Sequence, residues 1–269
     1  MIEENMTEWK KISGIISDLD GVTYRGDDPI DSAVEAFQSW HSLGLPYAFV
    51  TNNSTKSAEE FGEKLNRMGI PATPERIITT SAVSAERLKT LLEPKARVMV
   101  IGAPALLRAV EKSGFEIADE KVAAVIAGLD REFSFEKLEK AQIALMGGAH
   151  FIGTNPDRML PKGDGFEPGA GSILKAIETA SGVPPVIIGK PQPHLISMAL
   201  SILGTDPKST YMLGDQIMTD IVAGHAAGLP TILVRTGVAE EGPFPIKPDF
   251  DIETLASIPV MMPNDLKET

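Results

Sequence analysis

Four short clusters of polar residues each stand directly after an apolar, strand-like run. Asp18-Leu19-Asp20-Gly21 follows Ile15-Ile16-Ser17, and Thr51-Asn52-Asn53-Ser54 follows Phe49-Val50. Gly189-Lys190-Pro191 follows Ile187-Ile188, and Gly214-Asp215 follows Met212-Leu213, with Asp220 five residues further on. Together they offer carboxylates, a hydroxyl, an amide and an ammonium. Carboxylates around a divalent cation bind a phosphoryl group well, because the metal offsets their charge and polarises the phosphoryl oxygens. Lysine adds a point charge for phosphate, and threonine with nearby backbone N–H groups adds donors. A carboxylate can itself attack phosphorus and form an aspartyl-phosphate. A second carboxylate, kept protonated, can deliver a proton to the leaving alcohol and later take one from water.

Each cluster alone is a weak signal. Asp249-Phe250-Asp251 has the same Asp-x-Asp spacing but follows Phe244-Pro245-Ile246-Lys247-Pro248 rather than a strand, and reads as a turn or a solvated pair. What raises the other four is their joint placement. In open α/β sheets the ligand crevice lies at the carboxyl ends of the strands, so clusters far apart in sequence can share one site.

The elements that must position them alternate along the chain. Apolar runs predict strands at 12–17, 47–50, 97–101, 122–127, 186–188, 209–213 and 231–234, and amphipathic stretches predict helices at 32–43, 57–68, 103–112, 134–147, 171–180, 194–203 and 220–227. Short continuous apolar strands separated by helices indicate a parallel sheet, and hence an α/β fold. In the last helix Ile221, Val222, Gly224, His225 and Gly228 fit one packed face, which places His225 in the core. A Gly/Pro-rich stretch at 153–171 reads as a loop too long for a routine connector, so it is either functional or mobile.

Composition narrows the classes of function. A net charge of −12 argues against a nucleic-acid binder, and obliges any phosphorylated ligand to find local positive charge or a metal. There is no cysteine, which excludes disulfides and thiolate chemistry, and four scattered histidines argue against zinc. An oxygen-held cation, Mg²⁺ or Mn²⁺, is the expectation. No apolar run reaches the roughly 18 residues of a membrane span. The start Met-Ile-Glu-Glu-Asn-Met carries acids where a secretory signal has positive charge, so the expected compartment is cytoplasmic, and the Asn-x-Ser/Thr matches at Asn5 and Asn53 are expected to carry no glycan.

In order, Asp18-Leu-Asp-Gly-Val, Thr51-Asn-Asn-Ser-Thr, Gly189-Lys190-Pro191 and Gly214-Asp215-Gln-Ile-Met-Thr-Asp220 resemble the four motifs of the haloacid dehalogenase superfamily. Val125-Ile-Ala-Gly-Leu-Asp130, Thr154-Asn-Pro-Asp157 and Gly169-Ala-Gly-Ser172 narrow the resemblance to subfamily IIA, the NagD-like, p-nitrophenylphosphatase and phosphoglycolate phosphatase branch. The resemblance implies a Rossmann-like catalytic core at 1–80 and 186–269, with an inserted α/β cap at 81–185 that sets specificity. It implies a Mg²⁺-dependent phosphatase in which Asp18 is the nucleophile and a metal ligand. Asp20 would be the general acid/base and would bind the metal through its main-chain carbonyl. Thr51 and Lys190 would hold phosphoryl oxygens with help from Asn52 and Asn53, Asp215 would bind Mg²⁺ directly, and Asp220 would support it. One departure is Thr23, where many relatives carry leucine, and it is expected to bear on pocket shape.

Within the cap, Asn155, Asp157 and Arg158 are candidate substrate contacts. Gly169–Ser172 could open an anion-binding helix, although a plain N-cap is the simpler reading, and Met159, Leu160 and Phe166 are expected to pack. The expected partner is a small phosphorylated metabolite. Cap-to-cap dimers are common in such families, which makes a homodimer one expected assembly, though no residue fixes it. The alternatives are a phosphotransferase or mutase on sugar phosphates, a dehalogenase using Asp18 against carbon, a non-hydrolytic phospho-Asp signalling module, and a metabolite-binding protein that has lost activity.

Overall fold

The runs of β-branched, aromatic and aliphatic residues form strands shielded on both faces: Gly14–Ser17, Tyr47–Thr51, Thr210–Gly214 and Thr231–Val234 are buried along their whole length. The computed structural model describes residues 9, 11–162, 165–237 and 242–259. These fall into two compact units, one within Met1–Val50, Phe61–Ile77 and Ile196–Thr269, the other within Thr51–Glu60 and Ile78–Leu195.

The first unit is built on a six-stranded sheet ordered Phe250–Ile252, Thr231–Val234, Thr210–Gly214, Gly14–Ser17, Tyr47–Thr51, Ile77–Thr79. The pairings from Phe250–Ile252 across to Tyr47–Thr51 are all parallel. From Gly14–Ser17 the chain builds the sheet in one direction, and from Thr210–Gly214 it builds in the other. The boundary between these two neighbouring strands is therefore the topological switch point, where open α/β sheets form their ligand crevice. Ser17 pairs with Leu213, so Asp18 and Gly214-Asp215 leave the sheet side by side. Packed below, Phe37 of helix Asp31–Ser42 meets Trp40, Tyr47 and Phe49 at ring separations of 4.8, 5.3 and 4.9 Å. All four are essentially inaccessible, and burying a side chain of this kind contributes about 1.5–3 kcal/mol.

The second unit holds a parallel five-stranded sheet ordered Val186–Ile187, His150–Gly153, Ala124–Ala127, Arg97–Ile101, Glu116–Ile117. Helices Phe135–Met146 and Ala170–Ser181 contribute Ala141, Leu145, Ile173, Leu174 and Ile177 to a core with Met99, Ile101, Val125, Ala127 and Phe151. Ser134 caps the first of these helices, its side chain accepting the Lys137 N–H, and the second ends at Gly182 with φ 74°.

The parallel α/β architecture is the one expected, and most elements fall where the apolar pattern places them. Several differences have clear causes. The 153–171 stretch is not simply a loop: Met159–Lys162 and Gly165–Pro168 form an antiparallel hairpin, with 163–164 outside the described residues. Its exposed alternation is weakly apolar, which hid it. Met159 and Phe166 are exposed at 48% and 65% rather than packed, while Leu160 does pack against the core. His225 is exposed, not in the core. The buried face of this segment holds Ile217, Asp220, Ile221, Ala223 and Gly224, and because an inward carboxylate belongs to it, a purely apolar reading rotated the helix. The Asp249–Asp251 segment is not a turn, and its two aspartates are exposed, as a solvated pair would be, yet each has a defined partner. Asp249 accepts the Thr231 N–H and hydroxyl at 2.8 and 2.9 Å, and Asp251 sits in an edge strand, paired with Arg235 at 2.5 Å. Asn5 lies outside the described residues.

Candidate active site

In the first unit, Asp18 stands at the end of Gly14–Ser17, its N–H held by the Leu213 carbonyl at 2.8 Å. Among the described residues, Asp18, Asp215 and Asp220 each bring a ligand oxygen within 4.8 Å of the others. Two devices achieve this. Gly214 clears the space for Asp220, since a Cβ there would lie 2.1 Å from the Asp220 Cβ. A single π-helical turn, Ile217–Ile221, then folds the Asp220 carboxylate back to accept the Gln216 N–H at 3.1 Å. Such turns insert one residue into a helix and recur at functional sites. Asp215 is cradled in the same way, because a Cβ at Gly21 or Gly237 would fall 2.2 or 1.8 Å from its Oδ2.

Asp220 is fully buried, Asp215 nearly so, and Asp18 half-buried. Two unit charges about 4 Å apart repel by about 4 kcal/mol at an effective dielectric near 20, so three ionised carboxylates at such spacing call for a cation or a proton among them. An all-oxygen donor set suits a hard divalent cation. The group therefore fits Mg²⁺ as the sequence implies. The Asp20 carboxylate is not a member of it. Asp20 is exposed, on a turn closed by Thr23 N–H and Thr23 Oγ1, which donate to the Leu19 carbonyl at 2.8 and 2.7 Å. Thr23 itself is fully buried with its hydroxyl spent on that turn, so it supports Asp20 rather than shaping a pocket. Tyr24, buried beside the same turn, is held well above the usual phenol range by burial and by the charges of Asp20, Asp18 and Asp27, and stays protonated.

In the second unit, Thr51, Asn52, Asn155, Asp157 and Lys190 gather around one amide. The Asn52 Oδ1 accepts the Lys190 N–H at 2.8 Å, and its Nδ2 donates to the Lys190 carbonyl at 3.0 Å and to the Asp157 carboxylate at 3.2 Å. The Asn52 carbonyl in turn accepts from Asn155 Nδ2 at 2.7 Å and Thr80 Oγ1 at 3.0 Å. Thr51 and Lys190 are buried, at 5% and 2% exposure, and a Lys190–Pro191 cis peptide follows the lysine. Asn52 thus fixes the lysine backbone, a role the sequence reading, which made it a phosphate contact, did not identify. Thr80 was missed outright, because a threonine opening a helix carries no motif signal.

Three other candidates are placed as follows. Asn53 is exposed, and its Oδ1 accepts the Thr55 N–H and hydroxyl at 2.8 and 2.7 Å, which closes a local turn. Arg158 is exposed, and its carbonyl accepts from Gly169 N–H and Ser172 Oγ. The Gly169–Ser172 motif serves close packing. Gly171 N–H donates to the Asp157 carbonyl at 2.9 Å, and a Cβ at Gly171 would lie 2.2 Å from the Pro156 carbonyl oxygen. Gly169 is the N-cap of helix Ala170–Ser181, as the simpler reading expects, with no side-chain cap bond, and the Gly171 and Ser172 N–H groups go to backbone carbonyls rather than to an anion.

Comparison with known proteins bears on what such groups do. Residues 15–116 match the family of haloacid dehalogenase-like hydrolases, and residues 187–258 match a second, HAD-hydrolase-like family. The chain is 39% identical over 231 residues to the 5'-nucleotidase YutF of Bacillus subtilis, covering 86% of this chain and 90% of that protein. It is 41% identical to an acid sugar phosphatase of Staphylococcus aureus, with 86% and 89% covered. A thermostable NPPase from Geobacillus stearothermophilus, solved as a double mutant, superposes with a TM-score of 0.88 at 40% identity, covering 94% of this chain and all of that one.

Proposed function

Since the chain belongs to the haloacid dehalogenase-like hydrolases, in the branch of NagD and the p-nitrophenyl phosphatases, and is a phosphoric monoester hydrolase, we propose that it hydrolyses phosphomonoesters of small metabolites with Mg²⁺, through an aspartyl-phosphate on Asp18. The observation that carries the reading is the convergence of Asp18, Asp215 and Asp220 within 4.8 Å at the switch point of the sheet. The names of the relatives, a 5'-nucleotidase and an acid sugar phosphatase, support nucleoside monophosphates and sugar phosphates as the first substrates to test.

Asp18, Asp215 and Asp220, with the main-chain carbonyl of Asp20, would hold the cation. Bound there, Mg²⁺ would offset the phosphoryl charge and polarise its oxygens. In the first step an Asp18 carboxylate oxygen attacks phosphorus, and the bond from phosphorus to the ester oxygen breaks as Asp20 gives that oxygen its proton. In the second step water attacks the same phosphorus and gives its proton to Asp20. The bond from phosphorus to Asp18 then breaks and inorganic phosphate leaves. The exposure of Asp20 supports this role, because a group that must meet both an alcohol and a water cannot be sealed in. Thr51 and Lys190, taken from their motifs, are assigned to the phosphoryl oxygens. The region 81–185 is assigned as the cap that sets specificity.

The test is phosphate release from a panel of phosphomonoesters, with Mg²⁺ and with EDTA, from the wild type and from Asp18→Asn. Metal-dependent release that Asp18→Asn abolishes is the expected result, and release retained by a folded Asp18→Asn protein would overturn the nucleophile assignment. Assaying for an isomerised phosphate ester alongside free phosphate separates hydrolysis from transfer.

A further inference from the structure

The turn that carries Asp20 continues into a two-stranded hairpin, Tyr24–Arg25 with Asp28–Pro29, and is bonded to it. The Tyr24 carbonyl accepts the Gly21 N–H at 2.8 Å, and Asp20 bridges to Tyr24. The far end of the hairpin is held from helix Ala58–Arg67 by Lys64. Its ammonium sits 3.7 Å over the centre of the Tyr24 ring and donates to the Gly26 carbonyl at 2.5 Å. It also lies 3.5 Å from Asp27. That carboxylate is 99% exposed, so the ion pair adds little, and the ring and the carbonyl are the contacts that matter.

The Lys64 side chain is only 11% exposed, an unusual place for an ammonium. Packing alone would be served by its aliphatic stem or by a methionine. What a largely buried cation adds is direction, since the ring and the carbonyl both favour one position of the ammonium. On the proposed reading, Asp20 must reach the leaving oxygen within hydrogen-bond distance, and displacing a catalytic group by about 1 Å can cost about a hundredfold. We propose that Lys64 is a positioning residue for Asp20, acting through Tyr24 and the hairpin to hold the general acid at the height where it protonates the leaving alcohol.

This inference rests on the aspartyl-phosphate reading, and the experiment separates the two. Esters differ in how much they need an acid: p-nitrophenolate departs without a proton, whereas an alkoxide from a sugar phosphate or glycerol phosphate does not. The full-length enzyme and its Asp20→Asn, Lys64→Met and Lys64→Arg variants are assayed on p-nitrophenyl phosphate and on an alkyl phosphate. Asp20→Asn, as the reference, is expected to lose far more kcat/KM on the alkyl ester, since kcat/KM reports the step in which the leaving group departs and not the later hydrolysis that both esters share. Lys64→Met is expected to follow it in pattern, with kcat/KM down by about ten- to a hundredfold on the alkyl ester and less than about threefold on p-nitrophenyl phosphate. Lys64→Arg, which keeps the charge and the donor, should recover most of the loss. A Lys64→Met enzyme that falls equally on both esters, or on neither, while Asp20→Asn discriminates, would overturn the positioning role alone. If Asp20→Asn itself fails to discriminate, the acid assignment falls and the Lys64 proposal with it. Should Lys64→Met not fold, Lys64→Gln carries the same comparison.

Discussion

Asn52 and Lys190, separated by 138 residues in sequence, are joined through both backbone groups of the lysine: the Asn52 Oδ1 accepts the Lys190 N–H at 2.8 Å and the Asn52 Nδ2 donates to the Lys190 carbonyl at 3.0 Å. The pairing leaves the lysine backbone no freedom to slide along its loop. A buried ammonium meant for a phosphate must be aimed before the phosphate arrives, because reorganisation at that moment subtracts from binding.

Asn52→Leu keeps the heavy-atom count of the side chain and removes both bonds to Lys190 together with the donor to Asp157. Leaving the buried Lys190 N–H without its acceptor should cost about 1–3 kcal/mol of stability. Inhibition by inorganic phosphate should weaken by about tenfold, equivalent to about 1.4 kcal/mol. Asn52→Asp keeps the acceptor for the Lys190 N–H but turns a carboxylate oxygen toward the Lys190 carbonyl and the Asp157 carboxylate, and should be no milder than Asn52→Leu. Phosphate inhibition titrations with urea unfolding check this, and an unchanged inhibition constant in Asn52→Leu would remove Asn52 from any role at the phosphate end.

The glycine cradle around Asp215 makes a second prediction, about the metal. Gly237→Ala places a methyl 1.8 Å from the Asp215 Oδ2, so the carboxylate must move. Half-maximal activity should then need about tenfold more Mg²⁺ or above, the range seen when the support of a metal ligand is lost. Gly44→Ala, away from the site, is the control: its φ is 69°, which strains alanine, yet no atom lies within 4 Å of the added methyl. That variant should lose stability without shifting the Mg²⁺ titration, and a matching shift in both would mean general loosening instead.

Stability should fall in alkali for a reason located in the aromatic core. Tyr47 is buried, donates its hydroxyl to the Pro71 carbonyl at 2.7 Å, and has its pKa raised by burial, with Arg76 opposing. In the unfolded chain the phenol loses its proton near pH 10, while the folded protein still holds it. The unfolded state thus binds fewer protons above that pH, so stability is present in full below about pH 10 and is lost as pH rises through the higher folded-state value. Urea unfolding of the wild type between about pH 8 and 11 should show the decline, and Tyr47→Phe should make it shallower, Tyr24 with its raised pKa supplying the remainder, while lowering the plateau by about 1 kcal/mol for the lost hydrogen bond.

What sequence conveyed well was the chemistry at strand ends. Asp18, Asp215 and Asp220 converge because their strands are neighbours, and short continuous apolar runs are enough to predict such a sheet. Sequence conveyed poorly whatever depends on close approach or on which way a polar side chain turns. His225 reads as core only if Asp220 is assumed to face outward, whereas the carboxylate is inward and rotates the helix. Asn52 carries the same signal whether its amide meets a phosphate or the Lys190 peptide. Lys64 lies on an amphipathic helix where a lysine is unremarkable, and only the Tyr24 ring beneath its ammonium distinguishes it. The glycines of the Gly169–Ser172 stretch suggested an anion site, and space for the Pro156 and Asp157 carbonyls is what requires them.

The central claim is that Asp18 becomes covalently phosphorylated. The most direct test is rapid mixing of enzyme, Mg²⁺ and substrate, followed by an acid quench within the first turnover and mass analysis of the peptide spanning Asp18. A phosphoryl group on Asp18 that rises and decays at rates compatible with turnover, and that accumulates in Asp20→Asn, is the predicted result. An enzyme that turns over steadily with no phosphoryl group on Asp18 at any time, in either protein, would contradict it.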